Sequence, residues 1–151
     1  MSGIIGSAGS KSGVIGVTEL DYEEGEWTMV PNFTLGTFEG ALSKYYRVGN
    51  LVSIRGYFYD PSANNGDMIQ MTGIPFTPAT DCIGSCKTNN VNVEGTSGSG
   101  ETFDMTAEVS TGAGGSVQLY ESRDGMSWHR TRWDSFGASG GHCTFFITYM
   151  I

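Results

Sequence analysis

The chain has 151 residues, with 16 acids against 8 bases and a net charge of −8. Neutralising phosphates takes clustered Lys and Arg, so nucleic acid is excluded as a partner, and no apolar run approaches the roughly 18 residues of a membrane span. Its 23 glycines, where average usage gives roughly 11, accompany Thr, Ser, Val, Ile and aromatics, which is an all-β composition rich in turns and sized for one domain.

Met1-Ser2-Gly3 is not followed by the charged and apolar segments of a signal peptide, so the expectation is synthesis in a cytoplasm. Three cysteines, Cys82, Cys86 and Cys143, give no complete disulfide framework. Cys82 and Cys86 are close enough in sequence to pair within a loop, but reducing synthesis argues against it. Their spacing, with Cys143, His129 or His142 to complete a set, lacks the second paired motif of a zinc site. All three read as reduced, half-buried thiols, and neither metal nor cofactor is expected.

Residues 1–18 form a Gly/Ser-rich arm, interrupted by the apolar dyads Ile4-Ile5 and Val14-Ile15. A solvated linker has no use for such dyads, so they read as anchors that dock the arm on the same chain, a sister chain or another protein. Gly9-Ser10-Lys11-Ser12 imitates the end of a P-loop, but Ser10 stands where Gly is required and no strand-to-helix context surrounds it. The domain proper is expected over 19–151. It begins with Asp21, Glu23, Glu24 and Glu26, which lack the alternating spacing of an EF-hand loop and read as a solvated strand start, with Trp27 as a core anchor.

Residues 32–48 carry Phe38, Leu42 and Tyr45 at helical spacing, but Gly36 and Gly40 favour extended chain. Tyr45 to Tyr59 then reads as a hairpin about Gly49-Asn50. In its second strand Val52, Ile54 and Phe58 share one face; Leu51, Ser53, Arg55, Tyr57 and Tyr59 share the other. Both faces carry apolar weight, which predicts a core on one side and a partner or second sheet on the other.

Asp60 to Asp67 is a loop, Met68 to Met71 a short strand, and Gly73 to Pro78 a proline-stiffened exit. Val91 to Glu94 is a further short strand before the loop 95–100. Thr102 to Val109 and Ser116 to Glu121 alternate cleanly and form a second hairpin, followed by a loop at 122–125. The last strand places Cys143, Phe145, Ile147, Tyr149 and Ile151 on one face. About eight strands with turns every ten residues or so predict a β-sandwich or jelly roll.

No catalytic constellation stands out. Gly137-Ala138-Ser139-Gly140-Gly141 matches the spacing of a nucleophile elbow, but a loop precedes it and a strand follows, the reverse of what the elbow needs. No pair of carboxylates is singled out by spacing. A ligand site is expected instead at Trp128, His129, Arg130 and Trp133, where two indoles beside flexible loops suit stacking on sugar rings. The competing expectation is that Trp128 and Trp133, five positions apart, point to opposite faces, one into the core and one into a subunit interface.

Three segments carry a resemblance. Asp21-Tyr22-Glu23-Glu24-Gly25-Glu26-Trp27-Thr28, the hairpin from Tyr46 to Gly56, and Met71-Thr72-Gly73-Ile74-Pro75-Phe76-Thr77 occur in this order. Together they resemble a domain of tail-fibre and related virion surface proteins of tailed bacteriophages, over about Asp21 to the C-terminus. The run Gly9 to Gly16 is similar to the segment that often precedes this domain in fibres. The resemblance implies a homotrimeric β-structured tip that binds other virion proteins and, often, a host-surface glycan; it supplies no catalytic residue. With only a short arm ahead of the domain, two roles are expected: a short tail-fibre-like module attached through Ile4, Ile5, Val14 and Ile15, or a capsid decoration protein that recognises nothing.

Overall fold

The hairpin strand Leu51–Tyr59 alternates strictly. Val52, Ile54, Gly56 and Phe58 are buried, and the residues between them face outward. The computed structural model describes residues 21–32, 39–40, 43–59, 61, 66–92, 103–123, 127–136 and 141–151. The arm with Ile4, Ile5, Val14 and Ile15, together with Phe38, Leu42 and Ser139, lies outside the described residues.

The described chain forms β1 (Tyr22–Glu26), β2 (Val30–Pro31), β3 (Glu39–Gly40), β4 (Lys44–Val48), β5 (Leu51–Tyr59), β6 (Gln70–Thr72), β7 (Cys82–Asn89), β8 (Phe103–Ser110), β9 (Ser116–Arg123), β10 (His129–Arg130) and β11 (His142–Met150). Every pairing is antiparallel. They make one sheet in the order β1-β4-β5-β11-β7-β8-β9-β6-β2, with β3 on β5 and β10 on β9. No α-helix occurs among the described residues, and no helix there is long and apolar enough to cross a membrane. The all-β, sandwich-like expectation holds.

The two ends of this sheet, β1 and β2, are separated in the chain only by Trp27, Thr28 and Met29. The sheet therefore curls so that the inner faces of β5 and β11 meet those of β8 and β9. Val52, Ile54 and Phe58 pack with Phe145, Ile147 and Tyr149, with Val109 and Leu119, and with Trp27 and Trp133. Burying large side chains of this kind stabilises by about 1.5–3 kcal/mol each, which opposes the entropy of ordering the strands.

Two glycines serve this packing. Gly49 takes φ +58° in the two-residue β4–β5 turn and donates its N–H to the Asp21 carbonyl at 2.8 Å. Gly56 stands opposite Phe145, whose ring lies on the glycine where a Cβ would sit.

Three local expectations are corrected. The cysteine segment is not a loop: Cys82–Asn89 is β7, paired with β11 on one side and β8 on the other. Cys82, Gly84, Cys86 and Thr88 form its half-buried inner face. Small residues there hid the alternation, since Gly84 meets the Phe146 backbone and Ile147 too closely for a side chain. Cys82 and Cys86 are free, as is Cys143; four residues along one strand span roughly 13 Å, too far to bridge. The strand expected at Met68 to Met71 is Gln70–Thr72, preceded by an isolated bridge from Met68 to Arg132. β9 runs through Ser122 to Arg123, where a loop was expected, because Asp104 and Phe103 of β8 continue its ladder.

Candidate functional site

The outer face of β8, β9 and β10 carries the most complete cleft. Alternation puts Thr106 and Glu108 of β8 outward, and Tyr120 and Ser122 of β9. The register sets Thr106 opposite Tyr120, and Tyr120 opposite Arg130 of β10. β10 is only two residues long, but its pairing with β9 brings the preceding residue, Trp128, over this face. Trp128 is 67% exposed, and its ring meets Tyr120 edge to face, with centroids 5.0 Å apart. Together with Ile83 of β7, these residues line a cleft of about 210 Å³.

The floor of the cleft carries the polar groups of Thr106, Glu108, Tyr120 and Ser122, and Tyr120 is held by neighbours outside the cleft. The Tyr120 hydroxyl donates to Gln118 Oε1 at 2.9 Å, and Gln118 Nε2 in turn donates to Ser116 Oγ at 3.3 Å. Partial burial, and secondarily the nearby Asp81 charge, push the Glu108 carboxyl up from its ordinary range. Asp81 itself is held low by Thr111, whose backbone N–H and hydroxyl donate to it at 2.7 and 2.9 Å. Arg130 counters the acids from the side and donates to the Ile69 carbonyl at 3.3 Å.

The four residues expected to form one site do not gather. Trp128 forms the wall of the cleft and Arg130 lies beside it. His129 points the other way, with Nδ1 3.8 Å from the carboxylate of buried Glu121. Trp133 is fully buried against Phe58 at 5.8 Å, and its indole N–H donates to Asn32 Oδ1 at 2.9 Å. It has no face to offer a ligand and is removed from the site. Tyr120, Glu108, Thr106 and Ser122 take its place; their outward phase was legible, but not their position beneath Trp128.

A second, wider cleft of about 310 Å³ lies at the β1–β4 edge, lined by Glu24, Glu26, Lys44 and Tyr46 among others. Its acids are partly engaged: Glu24 accepts from the Tyr22 hydroxyl at 2.6 Å. Nearby Asp21 and Glu23 pair with Arg47, at 3.2 and 3.5 Å. Among the described residues, no group of three or more His, Cys, Asp or Glu side chains is placed to hold a metal ion. Comparison with family models, with curated proteins and with solved structures returns no match to the chain.

Proposed function

We propose that this chain is a virion surface protein of a tailed bacteriophage: a short, oligomeric, tail-fibre-like module attached to the particle through its N-terminal arm. Its β domain would display the β8–β10 cleft to a glycan on the host surface. The observation that carries the ligand reading is Trp128, an indole two-thirds exposed and braced by Tyr120 above a hydroxyl- and carboxylate-bearing floor. Large aromatic side chains are mostly buried, and an exposed one held rigidly above polar groups suits the apolar face of a pyranose, with hydroxyls directed to Thr106, Glu108 and Ser122. The cleft is smaller than the roughly 300 Å³ at which drug-sized pockets begin, so it suits one sugar of a longer chain. The virion assignment is supported by the three-segment resemblance.

The test is adsorption. Trp128→Ala is expected to abolish binding of the purified protein to host cells and to their surface polysaccharide while leaving the melting temperature unchanged. Unaltered adsorption by this variant would refute the ligand reading. Quantifying the protein against the major capsid protein in purified virions separates the roles: tens of copies fit a fibre, hundreds a decoration protein.

A further inference from the structure

We infer that the outer face of β1, β4, β5 and β11 is where one copy of this chain docks on another. This rests on the oligomeric reading above and names its surface. Tyr22, Val48, Leu51 and Met150 stand in one row across these four strands, and each is at least 38% exposed. Tyr46, 42% exposed, continues the apolar surface inward along β4, and Phe146, 49% exposed, lies on the same face of β11 beyond Thr148. The six present on the order of 600 Å² of exposed side chain, at the top of what a monomer's largest apolar patch reaches and most of the roughly 800 Å² per partner of a standard interface.

Charge identifies the occupant. Lys44 and Arg55 are both exposed and sit directly opposite one another in the β4–β5 register. Like charges so placed destabilise a sheet, and among the described residues no ion pair reaches either of them. Arg55 stands between Lys44 and Phe146, which lies opposite it on β11. At the edge of the same face, β1 turns Glu24 and Glu26 outward, opposite Tyr46 and Lys44. The face thus holds an acidic pair along β1 and a basic pair across β4 and β5 beside an apolar row. A second copy supplies the complement of each: its Glu24 and Glu26 neutralise Lys44 and Arg55 while the apolar rows close on each other.

Light scattering on the size-fractionated full chain at micromolar concentration tests this. The wild type is expected to be oligomeric. Leu51→Glu/Phe146→Glu, at two exposed positions, is expected to be a folded monomer by circular dichroism. Lys44→Glu/Arg55→Glu is expected to weaken association more than about a hundredfold, since juxtaposed like charges cost several kcal/mol, and adding Glu24→Lys/Glu26→Lys to that variant is expected to restore it. A monomeric wild type overturns the inference, whether the arm, anionic phosphatidylglycerol vesicles or only solvent covers the face. So does an oligomer that survives both substitutions. A monomer that still binds glycan through Trp128 removes this surface and leaves the cleft; an oligomer that binds no glycan does the reverse.

Discussion

Gly56→Ala reverses sign between what local propensity expects and what the packing dictates. Glycine inside a strand costs roughly 0.5–1 kcal/mol of chain entropy, so replacing it with alanine would ordinarily stabilise. Here the new Cβ would fall within the Phe145 ring. That ring is 1% exposed and lies 6.4 Å, centroid to centroid, from Trp27, so it cannot swing into solvent without opening the core. Overpacking of this kind costs about 1–3 kcal/mol, and losing the ring's contacts outright costs about 3–5 kcal/mol. After the entropic gain, a net loss of about 0–4.5 kcal/mol, centred on about 2 kcal/mol, is expected. At roughly 2–4 °C per kcal/mol for a chain of this size, the central value lowers the melting temperature by about 4–8 °C. The assay is thermal and urea unfolding of Gly56→Ala, Phe145→Leu and the double variant. Because the smaller leucine makes room for the methyl, the double variant should be more stable than the sum of the two losses by about 1 kcal/mol or more. A melting temperature that rises in Gly56→Ala, or losses that simply add, would refute the reasoning.

Trp133→Ala should cost about 3–5 kcal/mol, because it empties a fully buried site, while Asn32 Oδ1 keeps the Gln70 backbone N–H as a donor at 3.2 Å; a variant that melts like the wild type contradicts the core assignment. Burial pushes the Tyr149 hydroxyl, which donates to the Phe76 carbonyl at 3.0 Å, up to about 12. Its folded value lies above the unfolded one near 10, so its contribution is complete below pH 10 and is lost as pH rises towards 12. Urea unfolding at stepped pH should therefore show stability falling through that window, by roughly 2–3 kcal/mol, and the fall should be shallower in Tyr149→Phe; equal slopes would exclude Tyr149 as its source.

Alternation was enough to determine the inner faces of β5, β8, β9 and β11, since a side-chain period of two is a local property that any five consecutive residues reveal. The β4–β5 turn was legible for the same reason: Gly49 and Asn50 carry their own conformational preference. β7 was not legible, because its inner face is Cys82, Gly84, Cys86 and Thr88, and their small size answers to Phe146 and Ile147 on a strand some sixty residues later. Trp128 and Trp133 were indistinguishable in sequence. Only the pairing of β10 with β9, and the Asn32 acceptor about a hundred residues away from Trp133, sends one indole to the surface and the other to the core. The sequence by itself determined which way the strictly alternating strands β5, β8, β9 and β11 face. Which strands lie side by side, and therefore which outward residues share a cleft, was decided by non-local pairing, because strand edges are alike in chemistry and are told apart by the packing that the curled sheet completes.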